Sequence, residues 1–219
     1  MNHKKLIFAF GLLLVLVGCG TPVARNTTPD ALAGKAVIIV SVTHDAEFRA
    51  GAQAIVYMDA DSMATQVLLK SVKEGIVVPE ASEFTDRRGH LYVLEVEPGR
   101  HKFNGWQVVS AGLRIHRKDP TDDLVFEVNK GEVLYLGNIH SRLVDGHWVL
   151  GGRSARGGFP MVIDRSDQDI PLAESKVPAL AGRVRSAVLP VGPWTRDVDQ
   201  STTRSAAPPV VLPPPPVRK

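Results

Sequence analysis

A single cysteine in 219 residues cannot close a disulfide within the chain, so packing and hydrogen bonding must hold the fold. An excess of one charge is also missing: 26 Lys and Arg stand against 23 Asp and Glu. Without a basic face or arm there is no footprint for nucleic acid, and no such partner is expected. The seven histidines include His90, His101, His116, His140 and His147, scattered without a tight ligand spacing, so no metal or other cofactor is expected. Strong amphipathic helices are absent too, which excludes a helical bundle.

What is present begins at the N-terminus. Asn2-His3-Lys4-Lys5 is a positive head, residues 6–17 are apolar except for Gly11, and Gly18, Cys19 and Gly20 are small. This order of charge, apolar run and small exit is that of an export signal. Twelve apolar residues as a helix reach about 18 Å, short of the roughly 30 Å hydrocarbon core. The segment therefore reads as a signal peptide over residues 1–18 and not as a retained span.

Leu16-Val17-Gly18-Cys19 resembles the lipobox of bacterial lipoproteins. The resemblance implies that the Cys19 thiol receives a diacylglyceryl group, that cleavage occurs before it, and that the new amine is acylated, with palmitate for example. Each buried methylene is worth about 0.8 kcal/mol, and stable anchoring needs more than one chain. Gly20 in place of Asp implies, by that family's sorting rule, the periplasmic face of the outer membrane. Lys4 and Lys5 are the only charges removed with the signal, which lowers the formal net charge from +3 to +1.

Behind the anchor the expected order is a lipidated tether at 19–33, a β domain at 34–182 and a Pro-rich, disordered tail at 183–219. Four consecutive prolines at 213–216 fit neither a helix nor a central strand. Between the tails the period is two. Alternating or β-branched runs at 35–42, 52–59, 64–72, 92–96, 103–109, 124–128 and 133–139 predict strands, and Trp148-Val149-Leu150 an eighth. Pro98-Gly99 and Asn129-Lys130-Gly131 supply turns, Gly131 being able to take positive φ. The expected fold is mainly β, an antiparallel sandwich of seven to eight strands. One short helix is expected within 171–180, with Leu172, Val177 and Leu180 on its packed face.

Leu94-Glu95-Val96-Glu97-Pro98-Gly99-Arg100, followed by His101, resembles a hairpin of small transthyretin-like or carboxypeptidase-regulatory-like β domains. Phe126, Val128, Gly131-Glu132, Tyr135 and Gly137 resemble the next hairpin. That likeness implies a β-sandwich and brings no catalytic set.

Other clusters carry partial motifs. Asp164, Asp167 and Asp169 crowd like a calcium loop but lack its Gly and distal Glu, so Asp167 is expected to cap the following helix. Gly151-Gly152-Arg153-Ser154-Ala155-Arg156-Gly157-Gly158 satisfies neither the phosphate loop nor the nucleophile elbow, and reads as a flexible basic loop. Glu80, Glu83 and Asp86, beside Arg87-Arg88, read as a solvated loop. Trp106 and Trp148 could stack on sugar but fit a core better. No catalytic residue is assigned, and Cys19 is the one named site.

The expected function is a non-enzymatic envelope lipoprotein, held to the membrane through Cys19, that binds a protein or peptidoglycan partner. The alternative is a membrane-tethered hydrolase acting on periplasmic glycan or peptide. Acids gathered with His90 or His140 in a deep pocket would favour the hydrolase, and a shallow surface with an apolar patch the binding module.

Overall fold

Strand β2 (Ala36–Asp45) is buried at nine of its ten positions, and the architecture follows from what covers its two faces. The computed structural model describes residues 20–48, 52–61, 66–74, 79–110, 113–116, 123–146 and 154–194. Residues 1–19, among them the expected signal and Cys19, and also His147, Trp148 and the Pro-rich run lie outside these residues.

In chain order, β1 (Thr21–Pro22) and helix α1 (Pro29–Ala33) precede β2. Strands β3 (Ala52–Met58), β4 (Val67–Lys70), β5 (Arg87–Val96), β6 (Gly99–Ser110) and β7 (Leu113–His116) follow. Then come β8 (Leu124–Val128), β9 (Val133–Asp145), β10 (Ala155–Ile163), helix α2 (Ser166–Lys176), β11 (Val184–Ser186) and β12 (Gly192–Pro193). One sheet runs β1-β5-β2-β9-β10-β12, with β11 also beside β9; the other runs β4-β3-β6-β7, with β8 also beside β6. Pairing is antiparallel except where β9 meets β2 and β11. The mainly β, two-sheet fold anticipated from the periodicity is present.

Ile38, Val40 and Val42 of β2 pack across the sandwich on Ala54, Val56, Val108 and Phe126 of the second sheet. The opposite face of the first sheet, with Val37, Ile39, Leu91, Val93, Val133 and Tyr135, lies under Leu32, Ala173, Val177 and Leu180. Covered on both sides, β2 reads as a continuous apolar run. Each such side chain, fully buried, contributes about 1.5–3 kcal/mol.

Several local expectations differ from the structure. Gly131 does take positive φ, 83°. Yet neither turn closes a hairpin: β5 and β6, and likewise β8 and β9, belong to different sheets, so both turns are corners across the sandwich. Turn chemistry reverses the chain; the partner strand is chosen by the packing. Segment 20–33 is docked: β1 pairs with β5, Thr28 caps α1 by accepting from the Ala31 N–H, and Leu32 is buried. At the other end the packed chain continues past 182, because Leu189 and Trp194 enter the core.

The expected basic loop is also partly strand, since residues 155–158 open β10. Helix α2 begins five residues earlier than 171, with Pro171 inside it, and a 3-10 turn spans Pro178–Leu180. Asp167 does not cap it: the boundary residue is Arg165, and Asp164 accepts from the Ser166 N–H at 2.9 Å.

Candidate functional site

A β-bulge in β9 decides which side chains meet under helix α2. Pairing with β2 runs Ile39 to Tyr135 and then Ser41 to Asn138, so one extra residue is accommodated, and Gly137 there has φ 107°. A bulge reverses the phase of alternation. Leu134, Leu136 and Ile139 therefore enter the sandwich core, while Asn138 and His140 join Tyr135 on the helix side.

A connected polar chain results. Asp45 Oδ1 lies 3.1 Å from His140 Nε2, and His140 Nδ1 lies 2.9 Å from Thr43 Oγ1. Thr43 Oγ1 reaches Asn138 Oδ1 at 3.1 Å, Asn138 Nδ2 donates to Ser41 Oγ at 2.6 Å, and Ser41 donates to Asp169 Oδ2 at 2.5 Å. Tyr135 closes the far end, donating to the same oxygen at 3.0 Å. Burial works to raise the Asp45 pKa, but hydrogen bonds from His140 and the Leu143 N–H outweigh it, and the net shift is downward. With Asp45 ionised, His140 Nε2 must carry the shared proton.

Asp169 is fully buried, and burial pushes its carboxyl upward against the hydrogen bonds of Ser41 and Tyr135. Its Oδ1 has no hydrogen-bond partner and stands 3.9 Å from Arg165 Nε, which also lacks one. The Arg165 guanidinium is instead spent on Asp86, at 2.9 Å, and on Gln168. Arg87 Nη1 donates to Asn138 Oδ1 at 3.0 Å. Asp86, flanked by both arginines, is held at about 2, burial being outweighed by their hydrogen bonds. The 80–88 stretch is thus bound into this network, and Gly89 lets β5 close on it: a Cβ there would lie 2.2 Å from the Val42 carbonyl oxygen.

The other sequence candidates are dispersed. His90 is buried, 3.6 Å from Glu83. His101 stacks on Phe126 and meets Asp59 at 2.7 Å. His116 ends β7. Asp164 and Asp167 are exposed and Asp169 is buried, so the three do not converge. Trp106 is in the core. Among the described residues no group of three His, Cys, Asp or Glu is placed to hold a metal ion. Nor is any helix among them long and apolar enough to cross a membrane. His44 went unmarked in the sequence; it is fully buried beside Ser71 Oγ at 2.8 Å, and burial depresses its pKa to about 4.

One hollow, of about 140 Å³, borders the polar chain at Arg87, which lines it together with Ala46, Ser82 and Phe84, and two others lie away from it. A groove of about 760 Å³ runs between the β1–β5 edge and the end of α2. Val23, Leu91, Val93, Leu94 and Val177 make its apolar surface, and Arg25, Lys73 and Lys176 its charge. Its hydroxyls are committed: Tyr92 donates to the Lys70 carbonyl and Ser175 to that of Leu172. The β5 edge is closed to an added strand at Leu91, whose N–H donates to Glu83 and whose carbonyl accepts from Lys176. A smaller hollow of about 310 Å³ holds Asp59, Asp61 and Asp123, two of them neutralised by Lys102 at 2.9 Å.

Asp45, His140 and Thr43 have the order acid, imidazole, hydroxyl that activates nucleophiles. Thr43 is fully buried, however, and its hydroxyl is shared with Asn138. The arrangement joins β2, β9 and α2, while the groove offers surface and positive charge. The chain matches no protein-family model, no curated protein and no solved structure.

Proposed function

We propose that the chain is a lipid-anchored envelope protein whose β domain is a non-catalytic binding module. The lipobox at Leu16-Val17-Gly18-Cys19 supports the anchor, and Gly20 supports the periplasmic face of the outer membrane. The observation that carries the module is the separation of chemistry from access. The acid, imidazole and hydroxyl of the Asp45–His140–Thr43 chain are committed to one another, whereas the 760 Å³ groove is lined by apolar, hydroxyl and cationic side chains without a carboxylate or imidazole. Such a surface suits binding and not catalysis.

The test is in-cell crosslinking of the intact protein, with photoreactive residues at Ser175 in the groove and Glu127 on the exposed face of β8. Reproducible capture of one envelope component is the expected result. Turnover of a wall fragment by purified protein, with nothing captured, would overturn the module. The order Asp45–His140–Thr43 is what favours the second reading, a tethered hydrolase of periplasmic glycan or peptide. For the anchor, Cys19→Ala should abolish incorporation of labelled lipid.

A further inference from the structure

The groove sits at the point where the chain arrives from Cys19. The Gly20 backbone lies against Val67, Thr21 and Pro22 pair with Glu95 and Leu94, and Pro22 itself lines the groove. Two residues lie between Cys19 and Pro22, so the groove wall is three Cα steps, at most about 11 Å of extended chain, from the lipidated residue. That is close to the Debye length of about 8 Å at physiological ionic strength, so charges on this wall act on the headgroup layer with limited screening.

Arg25, Lys73 and Lys176 line the groove and no acid does, but Lys176 is neutralised by Glu83 from outside the lining, so Arg25 and Lys73 are the cations that face an anion. Nearby, Glu83 is bonded to Lys176 and the Leu91 N–H, and Glu74 pairs with Lys70. Glu80 acts on Tyr92 from outside the lining. Lys73 Nζ stands over the Tyr92 ring, 4.9 Å from its centre, which holds this charge at the groove wall.

We infer that this groove is a docking surface for anionic phospholipid headgroups, which seats the domain on the bilayer in one orientation. The inference rests on the anchored-module reading and names the ligand of its groove; a protein or wall partner then takes another face. Apolar lining accepts the glycerol and upper acyl region, and the cations accept the phosphate. Closure of the β5 edge by Glu83 and Lys176 disfavours an added peptide strand as the occupant.

The experiment uses the intact lipidated chain in phosphatidylcholine vesicles with or without phosphatidylglycerol. Its lipid is first verified by mass. Cys19 being consumed by lipid, Ser175→Cys gives a single labelling site in the groove and Glu127→Cys one on the far sheet. Nitroxide-headgroup lipid should quench a fluorophore at 175 far more than at 127, only with phosphatidylglycerol, and high salt should erase the difference. Arg25→Glu with Lys73→Glu should lower the preference by about fivefold per cation. Equal quenching at both sites, or indifference to phosphatidylglycerol and salt, with the lipid mass present, overturns the docking surface and leaves the anchor standing. Absence of the lipid mass overturns the anchor and the inference together. The salt comparison uses unchanged groove charges, so it decides even if the double variant misfolds.

Discussion

The hydroxyl of Thr43 lies 2.9 Å from Nδ1 of His140, on neighbouring parallel strands from opposite halves of the chain. Its single proton has two acceptors in reach, that nitrogen and Asn138 Oδ1. Thr43→Val keeps the shape and removes the hydroxyl, leaving His140 Nδ1 without its partner while Asn138 Oδ1 keeps the bond from Arg87. A loss of about 1–3 kcal/mol is expected in denaturant unfolding, with the circular dichroism spectrum unchanged.

Gly137→Ala tests the bulge that orients the polar chain. At φ 107° an L-residue is strained, and its Cβ would meet Val188 at 3.2 Å and Val162 at 3.3 Å. The expected cost is about 1–3 kcal/mol, read as a lower unfolding midpoint. An unchanged midpoint would mean that the bulge is not needed.

His44 makes stability depend on pH. Its pKa falls from 6.5 to about 4 on folding, chiefly through burial. The unfolded chain therefore binds the extra proton between these values, and stability declines as pH falls from 6.5 towards 4, by up to about 3 kcal/mol. Asp169, shifted upward, acts with the opposite sign above its ordinary 3.8. The His44 contribution is thus the difference in slope between wild type and His44→Asn, and equal slopes would refute it.

Glu83 governs the acid limb. Burial works to raise its pKa, but His90, Lys176 and the Leu91 N–H hold it at about 2 against an ordinary 4.5. Its stabilisation is complete above 4.5 and disappears as pH falls towards 2. Glu83→Gln should be less stable at neutral pH and show a shallower decline below 4.5 in acid titrations. Asp86, also held at about 2, preserves part of that decline in both proteins.

The strands that carry the core were legible because their apolar spacing states which face is buried. Burial alternates along β8 as the pattern of Leu124, Phe126 and Val128 predicts. Sheet membership was not legible: Pro98-Gly99 reads the same in a hairpin and in a corner. The short elements of the terminal segments are not legible for a related reason. Thr28-Pro29 is a good helix start, and Leu189 and Trp194 are apolar, yet such short elements are fixed only by the sheets beneath them. His140 was marked by residue type, but its partners Ser41, Thr43 and Asn138 looked like interruptions in apolar strands. Their signal was Gly137, where the alternation changes phase. The groove had no sequence signature, since Arg25, Lys73 and Lys176 come together only through tertiary packing.

The parallel contact of β2 with β9 also sets the order of events in folding. β2 is made early and is apolar over most of its length, but β9 belongs to the far half of the chain. Loop-closure entropy must be met before that pairing gives any return, which makes assembly slow. During synthesis β2 emerges with both of its neighbours, β5 and β9, still to come. A nascent or unfolded chain thus displays an unpartnered β-branched strand prone to self-association, and holding it apart until β9 arrives is work for a chaperone.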